Sequence, residues 1–195
     1  MGLNKGLIKR GAIMGLFINA EAREKTMLER YALHLAVACT APSLVDYLRE
    51  EGFYTAPAST RHHGAYEGGL FDHCFKTAEW LTRLTSDNGL HWQKQRSPFI
   101  VGMFHDLCKI DAYIVDTDGI RWNDNQLFDA HGEKSIYILQ RHFNLTDEEI
   151  MCIRWHMGAF DDKENWNRYT RACKAFPNVL WTHHADMLAS QVDGI

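Results

Sequence analysis

Apolar residues recur at helical spacing along most of this chain, in stretches separated by glycine, proline and polar clusters. The stretch from Glu21 to Ala38 and the stretch from Pro42 to Gly52 each place their apolar residues on one face of a helix. Proline at the start and glycine at the end are typical helix boundaries. Neither stretch carries a chemical motif, so residues 1–52 are predicted to be a helical scaffold.

The remaining helices are predicted after a long loop. Residues 53–69 are rich in proline, serine and glycine, and helical periodicity resumes from Leu70 to Leu84. Ser97 as a cap and Pro98 in the first turn predict another helix, which contains the apolar run Phe99–Phe104. Later helices are predicted in three places: Ala130 to Phe143, the segment opened by the T-x-x-E capping box of Thr146 and Glu149, and the segment after Pro177.

Two segments depart from the helical pattern. Tyr113–Val115 and Ile120–Trp122 flank the turn Asp116–Gly119, which predicts a small β-hairpin. Residues 158–171 are polar and aromatic and are predicted to be a loop with one short helix. With 195 residues, 46% of them hydrophobic, the chain can bury one sizeable core. We therefore expect an all-α fold, a helical bundle with a small β-hairpin insertion, in a single domain of residues 1–195.

Composition and charge narrow the class of protein. The formal net charge of −4 argues against broad electrostatic capture of nucleic acid or of an anionic membrane. No apolar run approaches the roughly 20 residues of a membrane-spanning helix, and the basic, then apolar start is too short for a signal peptide and is broken by Gly15. Five cysteines without a C-x-x-C pair are typical of reduced thiols. The sequence thus predicts a cytoplasmic protein without a membrane partner, and it carries no signal of oligomeric state.

Candidate ligands for a metal ion are distributed one group per predicted helix. Each lies within or beside an apolar stripe: His73, the pair His105 and Asp106, His131, His156 and Asp186. A single histidine on an apolar face is usually an ordinary core residue. An all-α core has no reason to collect four histidines and two aspartates unless a shared ion satisfies them.

The types of these residues indicate which ions and which chemistry. Imidazole and carboxylate suit a divalent transition metal, namely Mn, Fe, Co, Ni or Zn, and a carboxylate can bridge two ions. Two ions about 3.5–4 Å apart can bind a phosphoryl oxygen and activate a hydroxide. The sequence therefore favours hydrolysis of a phosphoester bond.

The ordered set also resembles a known family. His73, His105-Asp106 and Asp186 are similar to the H…HD…D signature of the HD-domain metal-dependent phosphohydrolases, and His131 and His156 match the extra histidines of its two-metal members. The segment His62 to His73 is similar to the H-H-x-Y-x-G-G-L-x-x-H version in some 3′-5′ exoribonucleases. The resemblance covers residues 57–189 and implies an HD core over residues 53–195. The whole chain looks most like small stand-alone HD hydrolases.

Carried over residue by residue, the resemblance implies two metal positions. His73, His105, Asp106 and Asp186 would hold one ion, and Asp106 would bridge to a second ion held by His131 and His156. Asp106 and Lys109 are the implied catalytic residues. Lys109 would neutralise a phosphate oxygen, the alternative being a surface lysine at the end of a helix.

Further residues are candidates for contact with the substrate. His62, His63 and Tyr66 would orient a phosphate or ligate an additional ion, or else support the metal ligands from behind. Lys134 and Arg154 are possible phosphate contacts or, alternatively, solvated side chains.

The predicted substrate is a phosphorylated small molecule, a nucleotide, or a short nucleic acid. Exoribonucleases with the similar module normally carry an upstream β-barrel, whereas residues 1–52 are predicted to be helical. Three alternatives stay open: a 3′-5′ exonuclease, a non-catalytic metal-containing domain that binds a nucleotide for regulation, and a helical interaction protein whose histidines are ordinary core residues.

Overall fold

A computed structural model gives the fold and describes residues 16–17, 19–34, 42–126, 128, 130–160 and 162–195. Within these residues the chain forms eight α-helices and one two-stranded antiparallel sheet, which confirms the predicted all-α fold with a small hairpin. The helices are α1 (Ala20–His34), α2 (Pro42–Glu50), α3 (Gly69–Asn88), α4 (Ser97–Phe104), α5 (His131–Gln140), α6 (Asp147–Arg154), α7 (Trp166–Ala175) and α8 (Asn178–Met187). The predicted continuation of the first helix to Ala38 and the start of the chain up to residue 15 lie outside the described residues.

The hairpin and the short helical turns connect these helices. Strands β1 (Tyr113–Asp116) and β2 (Gly119–Trp122) pair in the register Tyr113 with Trp122. A 3-10 helix (Leu107–Asp111) joins α4 to the hairpin, and a π-helix (Leu188–Asp193) continues α8. No helix in the described part of the chain is long and apolar enough to cross a membrane.

Two helix starts show how well local sequence signals hold. At α6 the capping box is present as predicted: Thr146 Oγ1 accepts from the backbone N of Glu149, and the Glu149 carboxylate accepts from the backbone N of Thr146. At α4 the prediction that Ser97 caps the helix is wrong, because Ser97 is its first residue. Its hydroxyl instead donates to Glu149 Oε1 at 2.9 Å, so a tertiary contact between α4 and α6 replaces the local cap.

Helix α7 is longer than the sequence predicts. The sequence predicts a loop with one short helix over residues 158–171, whereas the structure has a helix of 10 residues, Trp166–Ala175, which extends beyond this segment. Tyr169, Ala172, Cys173 and Phe176 lie at helical spacing and pack against the core. Burial of this stripe stabilises the helix, although the polar and aromatic composition of the segment does not indicate one.

The central packing is between α3 and α4. Both helices contribute fully buried side chains, among them Phe71 and Phe104. A Cβ atom at Gly102 would collide with the backbone of Ala78, so glycine is what allows the two helices to lie in direct contact. This contact brings the end of α4, where His105 lies, against the middle of α3.

A buried ion pair attaches α1 to the start of α3. Arg23 Nε lies 3.0 Å from Asp72 Oδ1, and the two side chains are 4% and 0% exposed. Asp72 Oδ2 accepts two more hydrogen bonds, from the backbone N of Leu16 at 2.8 Å and from the Tyr66 hydroxyl at 3.0 Å. Gly68, at φ +79°, leaves room for the guanidinium, since a Cβ there would collide with Arg23. This network fixes the residue that directly precedes His73.

The described cysteines are all free thiols, in agreement with the prediction of reduced cysteines. Cys74, Cys108 and Cys152 are buried and Cys173 is partly buried. Cys39 lies outside the described residues.

Candidate metal centre

The structure brings all six predicted metal ligands into one buried cluster, which we call the His/Asp cluster. One ligand lies in the second turn of α3, two follow α4, one opens α5, one follows α6 and one lies on α8: His73, His105, Asp106, His131, His156 and Asp186. Five separate helices thus converge at one point. The packing of α3 against α4, made possible by Gly102, brings the first three ligands together.

Asp106 is the centre of the cluster. Its Oδ2 lies 3.6 Å from Nε2 of His73 and 3.6 Å from Nε2 of His105. Its Oδ1 lies 3.0 Å from Nε2 of His131 and 3.4 Å from Nε2 of His156. One carboxylate therefore faces all four imidazoles, two on each oxygen.

Asp186 completes one side of the cluster. Its Oδ1 is 3.2 Å from Nε2 of His73 and 4.0 Å from Nε2 of His105. In three groups of three residues the potential ligand atoms all lie within 4.8 Å of one another: His73, His105 and Asp106; His105, His156 and Asp186; Asp106, Cys108 and His131. Such groups can hold a metal ion.

The other ring nitrogen of each histidine is turned away from Asp106. His73 Nδ1 lies 2.9 Å from the backbone oxygen of Ile195. His105 Nδ1 and His156 Nδ1 contact the backbone oxygens three residues earlier, at 2.8 and 2.7 Å. A backbone oxygen can only accept, so Nδ1 carries a hydrogen in these three rings, and in the neutral form of each ring Nε2 presents a lone pair. This is the tautomer that metal-binding histidines adopt.

Several polar atoms that face one another in the cluster form no hydrogen bond with one another. Among the described residues, Asp106 Oδ1, His131 Nε2 and His156 Nε2 are buried side-chain atoms without a hydrogen-bond partner, although they approach within 3.0 to 3.4 Å. Burial would lower the pKa of His156, but the facing carboxylate of Asp106 raises it. In the neutral ring that a metal ion requires, the Nε2 lone pair faces an oxygen that also only accepts. A cation between the two acceptors would satisfy both. The donor set of imidazole nitrogens and carboxylate oxygens therefore fits a divalent transition metal.

The electrostatics keep the carboxylates of the cluster ionised. Burial by itself would raise the pKa of Asp106, but the ammonium of Lys109, 2.7 Å from Oδ2, and the neighbouring imidazoles hold it well below its usual range. The pKa of Asp186 is likewise lowered by His73 and His105 despite its burial. Burial lowers the pKa of His105 to about 3, so this ring is neutral at physiological pH and free to bind an ion.

Lys109 and His63 lie at the cluster, as predicted. The Lys109 side chain is 14% exposed and is paired with Asp106, which excludes the alternative of a surface lysine. Burial would lower the pKa of Lys109, but Asp106 raises it, so the lysine is charged. The ring centroid of His63 is 4.7 Å from that of His73, and burial lowers the pKa of His63 to about 4.

Four other candidate substrate contacts are exposed or are engaged with other protein groups. His62 is exposed on the same loop as His63. The Tyr66 hydroxyl donates to Asp72. Lys134 pairs with Asp111 at 2.5 Å and also donates to Gln126, and Arg154 pairs with Glu133.

Most of the groups that support the cluster carry no signal in the sequence. The backbone oxygen of Ile195 and the thiol of Cys108 each contact a ligand histidine. His183 Nδ1 lies 2.8 Å from the backbone oxygen of His156, and Gly158, at φ +55°, leaves room for its ring. Only His183 had a sequence signal, because it lies one helical turn before Asp186.

The contact between Ile195 and His73 leads to a prediction. Trp80 Nε1 donates to Asp193 Oδ2 at 2.6 Å and so holds the segment that presents the backbone oxygen of Ile195. We expect Asp193→Ala to loosen this segment and to weaken metal binding, by up to the roughly 10–100-fold that outer partners of a ligand contribute. Competition titration against a metal-binding dye measures the change, and Asp124→Ala, at another exposed aspartate, is the control. Equal affinities in both variants would show that His73 does not depend on this segment.

Comparison of the chain with protein-family models, with curated proteins and with solved structures found no significant match.

Proposed function

We propose that this chain is a metal-dependent phosphohydrolase of the HD type that hydrolyses a phosphoester bond in a nucleotide or a short nucleic acid. The observation that carries the proposal is the convergence of four imidazole Nε2 atoms on one buried carboxylate, that of Asp106. The H…HD…D order of the ligands and the His-His loop, which resemble HD phosphohydrolases, support it independently.

The residues at the cluster would have different roles in such a reaction. When bound, divalent ions supply Lewis acidity toward a water molecule and toward a phosphoryl oxygen. Asp106 and Asp186 contribute the negative charge that holds cations in a buried site. Lys109 places a positive charge 2.7 Å from Asp106, where it can neutralise a phosphate oxygen of the substrate. His63 is neutral because its pKa is lowered, and its single N–H can donate a hydrogen bond to the same phosphate.

Hydrolysis of a panel of substrates tests the proposal. The protein is purified without chelators, loaded with Mn, Fe or Co, and assayed for phosphate or nucleotide release from mononucleotides and from oligonucleotides of increasing length. We expect metal-dependent product formation that EDTA removes. Asp186→Asn should abolish it, because this variant loses a ligand charge, whereas the exposed Asp118→Asn should leave it unchanged.

The results of this assay distinguish a nucleotidase, an exonuclease and a regulatory domain that binds nucleotides. Turnover of mononucleotides indicates a nucleotidase, and turnover that begins only above a minimum length indicates a 3′-5′ exonuclease. Saturable nucleotide binding without product on prolonged incubation contradicts an enzyme and supports a regulatory domain. A preparation that retains no metal and whose melting temperature is indifferent to EDTA contradicts the metal centre itself.

A further inference from the structure

We propose that the thiol of Cys108 is a positioning group for His131: it fixes the imidazole so that Nε2 faces Asp106 and the second ion. The inference rests on the metal centre proposed above. It assigns a role to a cysteine that no sequence motif singled out.

The two nitrogens of the His131 ring have different neighbours. Nδ1 lies 3.3 Å from Cys108 Sγ, which is within hydrogen-bond distance for sulfur, and Nε2 lies 3.0 Å from Asp106 Oδ1. A hydrogen bond from Nδ1–H to sulfur leaves the Nε2 lone pair toward Asp106. Nε2 would have to be unprotonated to bind an ion, so Nδ1 would then carry the hydrogen and Cys108 Sγ would accept it. The sulfur contacts the ring nitrogen that is not turned toward Asp106, which favours Cys108 as an acceptor for the ring over Cys108 as a ligand.

The sulfur is itself held in place by the helix that carries His131. Cys108 is 4% exposed and lies in the 3-10 helix that follows Asp106. Its backbone N donates to Ser135 Oγ at 2.9 Å, and Ser135 lies one helical turn after His131 on α5. Two adjacent contacts, one from Ser135 and one from His131, thus join α5 to the turn at residue 108.

The other three ligand histidines do not depend on a side chain in this way. Their Nδ1 atoms contact backbone oxygens, which any residue would supply. His131 is also the most exposed of the four, with 35% of its side chain accessible, so fewer packing contacts restrict its ring. Loss of the Cys108 sulfur should therefore weaken one metal position and leave the other intact.

Metal titration of three cysteine variants tests the inference. We expect wild type and Cys152→Ala, which removes another buried thiol, to bind two ions per chain. Cys108→Ala should keep the first ion and lose about 10–100-fold in affinity for the second. Cys108→Ser should recover part of this loss, because a hydroxyl oxygen is also an acceptor.

A spectroscopic readout separates positioning from ligation. With Co(II) in both positions, we expect no thiolate-to-cobalt charge-transfer band in the near ultraviolet, and its appearance would show that Cys108 is a ligand and overturn the proposal. Unchanged affinity for the second ion in Cys108→Ala, or equal loss of both ions, would also overturn it. If the wild-type protein binds two ions but hydrolyses no substrate, the proposed function is contradicted and the role of Cys108 is not. If the wild-type protein binds no metal, both the proposed function and the role of Cys108 are contradicted.

Discussion

Replacing Asp106 with alanine is expected to empty both metal positions and to abolish hydrolysis. Asp106 is the only one of the described cluster residues that faces all four imidazoles, two through each carboxylate oxygen. Metal ions contribute several kcal/mol of transition-state stabilisation, and each 1.4 kcal/mol or so is a factor of ten in rate. We therefore expect a loss of at least about a thousandfold in kcat/KM. Metal analysis of the purified variant should show the parallel loss of bound ions.

Substitution of individual histidines provides the matched comparison. His131→Ala removes a ligand whose Nε2 faces Asp106 Oδ1, so it should reduce the metal content from two ions to one. His73→Ala removes a ligand that contacts both Asp106 and Asp186 and should empty the other position. If Asp106→Ala lost only as much metal as His131→Ala, the carboxylate would not be shared between two ions.

Breaking the buried ion pair between Arg23 and Asp72 is expected to have the largest effect on stability. Arg23→Met leaves the carboxylate of Asp72, which is 0% exposed, without its cation. Removal of one partner from a buried pair typically costs about 3–5 kcal/mol in the free energy of unfolding. The hydrogen bonds from Tyr66 and from the backbone of Leu16 compensate part of this loss, because each is made to the ionised form. Urea denaturation followed by circular dichroism measures the change.

An exposed pair that joins α2 to α1 serves as the control. Arg49 contacts Glu24 at 2.6 Å, but half of the Arg49 side chain is accessible, so Arg49→Met should leave the urea midpoint nearly unchanged. The double variant Arg23→Met with Asp72→Asn should recover part of the stability lost by Arg23→Met alone, because it removes the uncompensated charge. Equal midpoints for Arg23→Met and Arg49→Met would contradict a structural role for the buried pair.

The sequence was sufficient to predict which residues form the cluster. Each of the six ligands is a polar residue in or beside an apolar stripe, and helical periodicity determines which face of a helix is buried. Because polar groups on the apolar faces of helices need partners, this pattern favoured a meeting of the six at one point, and the resemblance to HD phosphohydrolases supported the same set. Lys109 was a candidate only through the resemblance to HD phosphohydrolases, and in the structure its ammonium lies 2.7 Å from Asp106 Oδ2.

The groups that orient the ligands could not be predicted in this way. The backbone oxygen beside His73 and the thiol beside His131 belong to segments that local periodicity does not relate to those histidines. Tyr66 illustrates the same limit, because its proximity to His62 and His63 in the sequence suggested a place in the substrate site. Its hydroxyl instead donates to Asp72, a residue that needed partners once it was buried beside Arg23.

The contact between His73 and Ile195 also bears on the order in which the protein is assembled. These residues are 122 positions apart, so the ring of His73 reaches its final orientation only after the segment following α8 has folded back onto α3. Contacts this distant in sequence form late, because the entropy of closing the intervening loop opposes them. We therefore expect capture of the first ion to be one of the last steps of folding, so that bound metal marks chains that have completed their tertiary structure.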